Sequence, residues 1–264
     1  MTSSLLLVSL AAGALTAPAP ALPAAAELAI RDVSVRPATA VVGAGNSIRL
    51  VIDVVAKGVA GRNGVTVKVE PGAPPGSRPG TPGDLLAVDG SPGSGRPPGS
   101  PEPVLSAESG AVRLRSGWET WRFLPDKALN RFYPAGTWTV TATAHGSGGT
   151  SVTAYGSFQL KRETRLTARA EPARDEAGTR LRGSLTRLDP RGRTDFTPYA
   201  QQRVEILWRR SPSGAWERAA EATTTARGTF AHTATSRTGG SWRVRYPGNG
   251  QYAADTSPIQ QRTS

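Results

Sequence analysis

Gly136-Thr137-Trp138-Thr139-Val140-Thr141-Ala142 recurs in kind about a hundred residues later as Gly240-Ser241-Trp242-Arg243-Val244-Arg245-Tyr246. Each copy is a glycine-led pair, a tryptophan, then strict alternation of apolar and polar residues. A period of two marks a strand with one buried face. Its return at domain-sized spacing predicts two β-sandwich modules in tandem.

The composition supports that reading. A chain of 264 residues suits two domains, each large enough to bury a core. Glycine (30) and proline (22) punctuate short predicted strands, which favours an all-β sandwich class over a helical or α/β one. Cysteine is absent, which excludes disulfide staples, thiolate metal sites and a lipid-modified cysteine anchor.

Residues 1–26 follow other rules. Leu5-Leu6-Leu7-Val8-Ser9-Leu10-Ala11-Ala12-Gly13-Ala14-Leu15 has the length of a signal-peptide core. It falls short of the ~20 residues that span a bilayer. Ala24-Ala25-Ala26 offers the small residues a signal peptidase reads, with cleavage before Glu27, although no Lys or Arg precedes the apolar run. The expectation is export, with the mature protein extracellular or associated with the cell wall. No later segment is long and apolar enough to cross a membrane.

Along the mature chain, 28–35 reads as an edge strand closed by Pro37. Residues 47–55 form the clearest central strand, with Leu50, Ile52 and Val54 on one face, and 64–69 form another. From 71 to 103 more than half the residues are Pro or Gly, so this stretch is expected to be an extended insertion, with only Leu85-Leu86-Ala87-Val88 able to dock. Strands resume over 104–114, at the aromatic cluster Trp118-Glu119-Thr120-Trp121-Arg122-Phe123, and in a hairpin that turns at Gly146-Ser147-Gly148-Gly149. The first module is therefore assigned to 27–163 and the second to 164–264. In the second, strands are predicted at 164–170, 181–188, 203–209, 216–223, 228–235 and 240–246, with a short one at 259–261. Six or seven strands in about a hundred residues is the density of an immunoglobulin-type sandwich.

The second module resembles the bacterial immunoglobulin-like repeats of secreted actinomycete proteins. The likeness rests on Leu181-Arg182-Gly183-Ser184-Leu185-Thr186-Arg187, on Gln202-Arg203-Val204-Glu205-Ile206-Leu207-Trp208-Arg209 and on the closing stretch from Gly240 through Tyr246-Pro247-Gly248-Asn249-Gly250-Gln251-Tyr252. The first module, with Ile30-Arg31-Asp32-Val33-Ser34-Val35-Arg36-Pro37 and Gly136-Thr137-Trp138, resembles the N-terminal partner seen beside such repeats. The resemblance implies two tandem immunoglobulin-like antiparallel sandwiches and no catalytic residues, and some of its members are labelled calcium-binding. The 71–103 insertion departs from the pattern.

The residues bear on four chemistries. For catalysis, His145 and His232 have no Ser or Asp at motif spacing, and Glu119 with Asp126 is the sole carboxylate pair near aromatics. For calcium, the pairs Asp84/Asp89 and Asp189/Asp195 lack the further oxygens a cage needs. No cofactor is implied, and calcium stays a weak alternative. For carbohydrate, Trp118, Trp121 and Phe123 are stacking candidates, although a sandwich core also wants a buried tryptophan. For polyanions, the net charge is +12 and Arg outnumbers Lys 28 to 4. The second module holds 17 basic against 9 acidic residues, the first 15 against 11. Arg209, Arg210, Arg243 and Arg245 are the polyanion candidates if they share a face. The sequence thus predicts a secreted, non-catalytic binding or spacer protein of the bacterial surface, its second module contacting anionic wall polymer or another surface macromolecule. A spacer without ligand and a calcium- or carbohydrate-binding module are the alternatives.

Overall fold

The computed structural model describes residues 27–75, 107–113, 117–173, 178–235, 237 and 239–262. The expected leader over 1–26 and nearly all of the 71–103 stretch, with 85–88, lie outside the described residues.

Alternation along the chain sets the first sandwich. Its strands are β1 (Ala29–Arg36), β2 (Thr39–Val42), β3 (Val51–Lys57), β4 (Val65–Pro71), β5 (Ala107–Arg113), β6 (Trp118–Pro125), β7 (Gly136–His145) and β8 (Ser151–Arg162). One sheet runs β1-β3-β6-β5 and the other β2-β8-β7-β4. All neighbours are antiparallel except β2 and β8, which are parallel. The even residues Ile52, Val54 and Ala56 of β3 point into the sandwich, as do Trp138, Val140, Ala142 and Ala144 of β7. The Trp138 ring stacks on Phe158 with centroids 5.8 Å apart and meets Tyr133 edge-on at 6.0 Å. Its indole N–H donates to the Pro134 carbonyl at 2.8 Å, so this central side chain buries no unpaired polar atom. Gly156 of β8 is required where the sheets meet at an edge: a Cβ there would lie 2.7 Å from the Val33 carbonyl oxygen of β1.

The second sandwich contains β9 (Thr164–Pro172), β10 (Thr179–Leu188), β11 (Phe196–Pro198), β12 (Arg203–Arg209), β13 (Glu217–Thr223), β14 (Thr229–Ala234), β15 (Gly240–Tyr246), β16 (Asp255–Thr256) and β17 (Gln260–Arg262). Strand β10 pairs with β9 and β14, and β11 extends its far end. In the facing sheet β12 lies between β13 and β15, and β16 and β17 share the free side of β15. Leu181, Leu185, Val204, Ile206, Trp242, Val244 and Tyr246 fill the space between. Both modules are immunoglobulin-like. The first reproduces the constant-type division into a four-stranded sheet and a three-stranded one, with β2 added along the last strand.

Four stretches depart from the sequence expectation. Strand β2 was not expected, because four residues carry too little periodicity; its pairing with β8 defines it. The 47–55 run divides: Ile48 bridges to Leu129, and regular pairing starts at Val51. Strands β11 and β16 are also too short to have left a pattern.

The modules meet without a linker. Only Glu163 separates β8 from β9, and it is fixed from both sides. Its N–H donates to the Val42 carbonyl at 2.9 Å, and its own carbonyl accepts from the Leu188 N–H at 3.0 Å. Leu188 belongs to the second module but is fully buried in the core of the first, with Phe196 packed beside it. Arg131 of the first module is 8 % exposed. Its guanidinium donates to the Ala44 carbonyl, to the Thr194 carbonyl at 3.3 Å and to the Asp195 carboxylate at 2.8 Å. Arg162 donates through its side chain to the Arg131 and Tyr133 carbonyls, at 3.2 and 2.9 Å. Its backbone exchanges hydrogen bonds with Gln251 and Ala253, each at 2.9 Å. Burial lowers the Arg162 pKa from the ordinary arginine value, and the Tyr252 phenol beside it works against that shift.

Replacing Arg131 by Ala removes donors from two carbonyls and a carboxylate at this joint. The expected cost is about 1.5–3 kcal/mol, the usual worth of hydrogen bonds from a charged donor, because Thr194 and Asp195 are exposed and can turn to water. Spin labels placed one per module should show a broadened distance distribution by pulsed electron resonance. An unchanged distribution would mean that the remaining contacts hold the joint alone.

Candidate anion-binding face

Outward positions of β12 and β15 form the face that carries most of the predicted basic candidates. Inward Val204, Ile206 and Trp208 leave Glu205, Leu207 and Arg209 pointing out of β12. On β15 the outward residues are Arg243 and Arg245. Register sets Arg245 opposite Glu205 and Arg243 opposite Leu207. The outcome for each arginine follows from that register. Arg245 Nε donates to Glu205 Oε2 at 2.8 Å, so its charge is met within the face. Arg243 faces a leucine and turns to an aromatic ring instead.

That ring is Trp216, half-buried just ahead of β13. The Arg243 guanidinium carbon lies 4.2 Å from its centroid and that of Arg209 4.6 Å. Two cations on one indole is a favourable arrangement, worth about 0.5–2 kcal/mol for each contact. Neither Arg209 nor Arg243 has a carboxylate partner among the described residues. Their Nε–H groups are covered and lack an acceptor, while each residue as a whole stays partly exposed. Arg218 of β13 pairs with Glu221, and Arg237, in the turn before β15, with Glu217 at 3.7 Å; Arg203 and Arg262 of this sheet likewise have no carboxylate partner among the described residues. Arg210, one residue beyond β12, is exposed at the start of the turn. The sequence marks Trp216 only as the start of a strand; its place against arginines of two strands has no local signature.

The other candidates lie elsewhere. Trp121 and Phe123 are each 3 % exposed in the first core, so neither ring has a free face for a sugar. This corrects their expectation as stacking residues: odd positions of β6 point inward. Trp118 is half-buried, with the charged groups of Arg31 and Lys57 over its ring at 5.1 and 5.3 Å. Glu119 lies within β6 and Asp126 just past its end. Extended geometry sets them about 20 Å apart, against the ~5–10 Å that paired glycosidase carboxylates need.

The acidic pair of the second module is committed to structure. Asp189 accepts from the backbone N–H of Arg191 and of Arg193 at 3.0 Å each, and of Thr194 at 3.4 Å. Those hydrogen bonds, led by that from Arg191, hold its pKa below the usual carboxylate value. Asp195 is taken by Arg131. Among the described residues no three acidic or histidine side chains gather as metal ligands, and no helix is long and apolar enough to cross a membrane.

No family model matches the chain, and no curated protein matches it in sequence. Solved structures align weakly over most of its length. A tetra-tandem repeat from the extending region of a large adhesion protein aligns at 12 % identity over 90 % of this chain and 48 % of that one, with a TM-score of 0.26. The adhesin InvE of Yersinia pseudotuberculosis aligns at 12 % identity over 88 % and 58 %, with a TM-score of 0.25. The D0–D1 region of intimin aligns at 15 % identity over 89 % and 99 %, with a TM-score of 0.25. The chain spans about half the length of the first of these. At such superposition the assignment of fold rests on the strand order described above.

Because the folded pKa of Asp189 lies below its unfolded value of about 3.9, its contribution to stability is complete above that value. It is lost as pH falls through the folded pKa. A carboxyl-carbon NMR titration should place the Asp189 midpoint below 3.9, and Asp189→Ala should speed amide exchange at Arg191 and Arg193. A midpoint at or above 3.9 would refute the loop's dependence on this carboxylate.

Proposed function

We propose that this chain is a non-catalytic protein of the bacterial surface, a stiff two-module spacer whose second module contacts anionic wall polymer. The observation that carries the reading is the pair of guanidiniums, Arg209 and Arg243, held over Trp216 without a carboxylate partner among the described residues. Paired arginines add little to the external field, whereas these two present charge in a fixed place. The net charge of +8 on the second module gives long-range attraction of the same sign. The joint supports the spacer part: one residue links the modules, and Arg131, Arg162 and Leu188 fasten them. Export by the 1–26 leader places the protein where such a polymer is found.

The test is binding of the chain to teichoic acid and to duplex DNA across a salt series. Affinity for both should fall as salt rises, and the double variant Arg209→Ala/Arg243→Ala should flatten the logarithmic salt slope on DNA by about two. If neither affinity nor slope responds to the double variant, the polymer contact is refused and the chain is a spacer alone.

A further inference from the structure

The cleft between the modules has a chemistry of its own. It is an open cleft of about 450 Å³, lined by Thr137, Gln159 and Lys161 of the first module and by Asn249 and Gln251 of the second. None of its lining residues is acidic, and Lys161 has no ion-pair partner among the described residues. The polar groups are fixed in place. Gln159 Nε2 donates to Thr137 Oγ1 at 2.8 Å, which leaves the Gln159 carbonyl as an acceptor and the Thr137 hydroxyl as a donor for a guest. Across the cleft, the Asn249 carbonyl oxygen accepts from the Gln251 and Tyr252 N–H groups at 2.9 and 2.8 Å, and its amide donates to the Tyr199 hydroxyl at 2.8 Å. The second wall is thus a pinned turn rather than a loose one.

The cleft continues onto the outer face of the β2-β8-β7-β4 sheet. Tyr155, Ser157, Gln159 and Lys161 share one side of β8 and span about 20 Å from first to last. Tyr155 is 48 % exposed. Opposite it on β7 stands Thr141, and opposite Gln159 stands Thr137. The acid of this face, Glu70 on β4, is paired with Lys68 at 2.7 Å. One exposed aromatic ring, a row of hydroxyls and amides, and a single cation in a cleft make a surface for a hydroxyl-rich chain with one negative charge. It is too poor in cations for a phosphate backbone, which takes several. It is also too polar for an apolar protein patch.

We propose that this face is a second binding site, for an acidic oligosaccharide. Its charged unit enters the inter-module cleft against Lys161, and a neutral sugar ring lies on Tyr155. The site is separate from the Arg209/Arg243 face and does not depend on it.

The full chain carrying Arg209→Ala/Arg243→Ala, which silences that other face, is labelled with ¹⁵N and titrated with aldotetrauronic acid (one uronate unit on three neutral xyloses), with its methyl ester and with a short oligothymidylate. Aldotetrauronic acid should shift the amides of Gly136, Gln159, Lys161 and Gly250, and the ester should bind about tenfold more weakly. Lys161→Gln should remove that preference, and Tyr155→Ala should weaken both sugars alike. Both replacements lie on the surface, and unchanged shifts elsewhere in the spectrum report an intact fold. The proposal is overturned if no amide shifts at about 10 mM aldotetrauronic acid. It is equally overturned if acid and ester bind alike, or if the oligothymidylate shifts the same amides more strongly.

Discussion

A single residue between two sandwiches leaves the chain no slack, and the molecule depends on how that constraint is met. Glu163 spends its backbone N–H on one module and its carbonyl on the other. Arg131 then supplies a buried charge whose partners come from both sides. A buried cation is tolerable only where acceptors meet its donors, and here two carbonyls and a carboxylate take three of its five N–H groups. Leu188 completes the seam by extending the first core with a side chain from the second module. The cleft described above exists because these contacts hold two curved surfaces at a fixed offset.

Inside each module, aromatic packing does what a disulfide does in antibody domains. Trp138 and Trp242 lie on the central strands β7 and β15, and both are fully buried. Trp138 stacks on Phe158, and Trp242 tilts against Trp208 with centroids 6.3 Å apart. In the second core Tyr199 lies against both Tyr246 and Tyr252. Burial pushes the Tyr246 phenol far above its ordinary pKa, so the group stays neutral in the core at any physiological pH. Large rings bury 150–250 Å² each, which suits modules of about a hundred residues without covalent staples.

The sequence was most informative where burial repeats with a period. The Trp138 and Trp242 strands, the 146–149 turn and most of the second module's strands could be read from alternation alone. Parity could also have assigned Trp121 and Phe123, since both share the inward side of β6. The joint could not be read. Arg131 is one of 28 arginines whose partners here lie more than fifty residues away, and Leu188 looks like any strand end although it packs into the other module's core. The basic face was half legible. That Arg243 and Arg245 share a side follows from spacing, whereas their different fates follow from cross-strand register, which set a glutamate before one and a leucine before the other.

The parallel pairing of β2 with β8 has a mechanical consequence. β2 lies near the start of the first module, and β8 leads directly into the second. Tension drawn between the two modules and the start of the chain therefore pulls these neighbouring strands along their axes in opposite senses. A ladder pulled in this way is loaded in shear, with its hydrogen bonds strained together instead of being unzipped one after another. Thr39 through Val42 would act as a clasp, and the first module would resist extension more strongly than its four-residue length suggests.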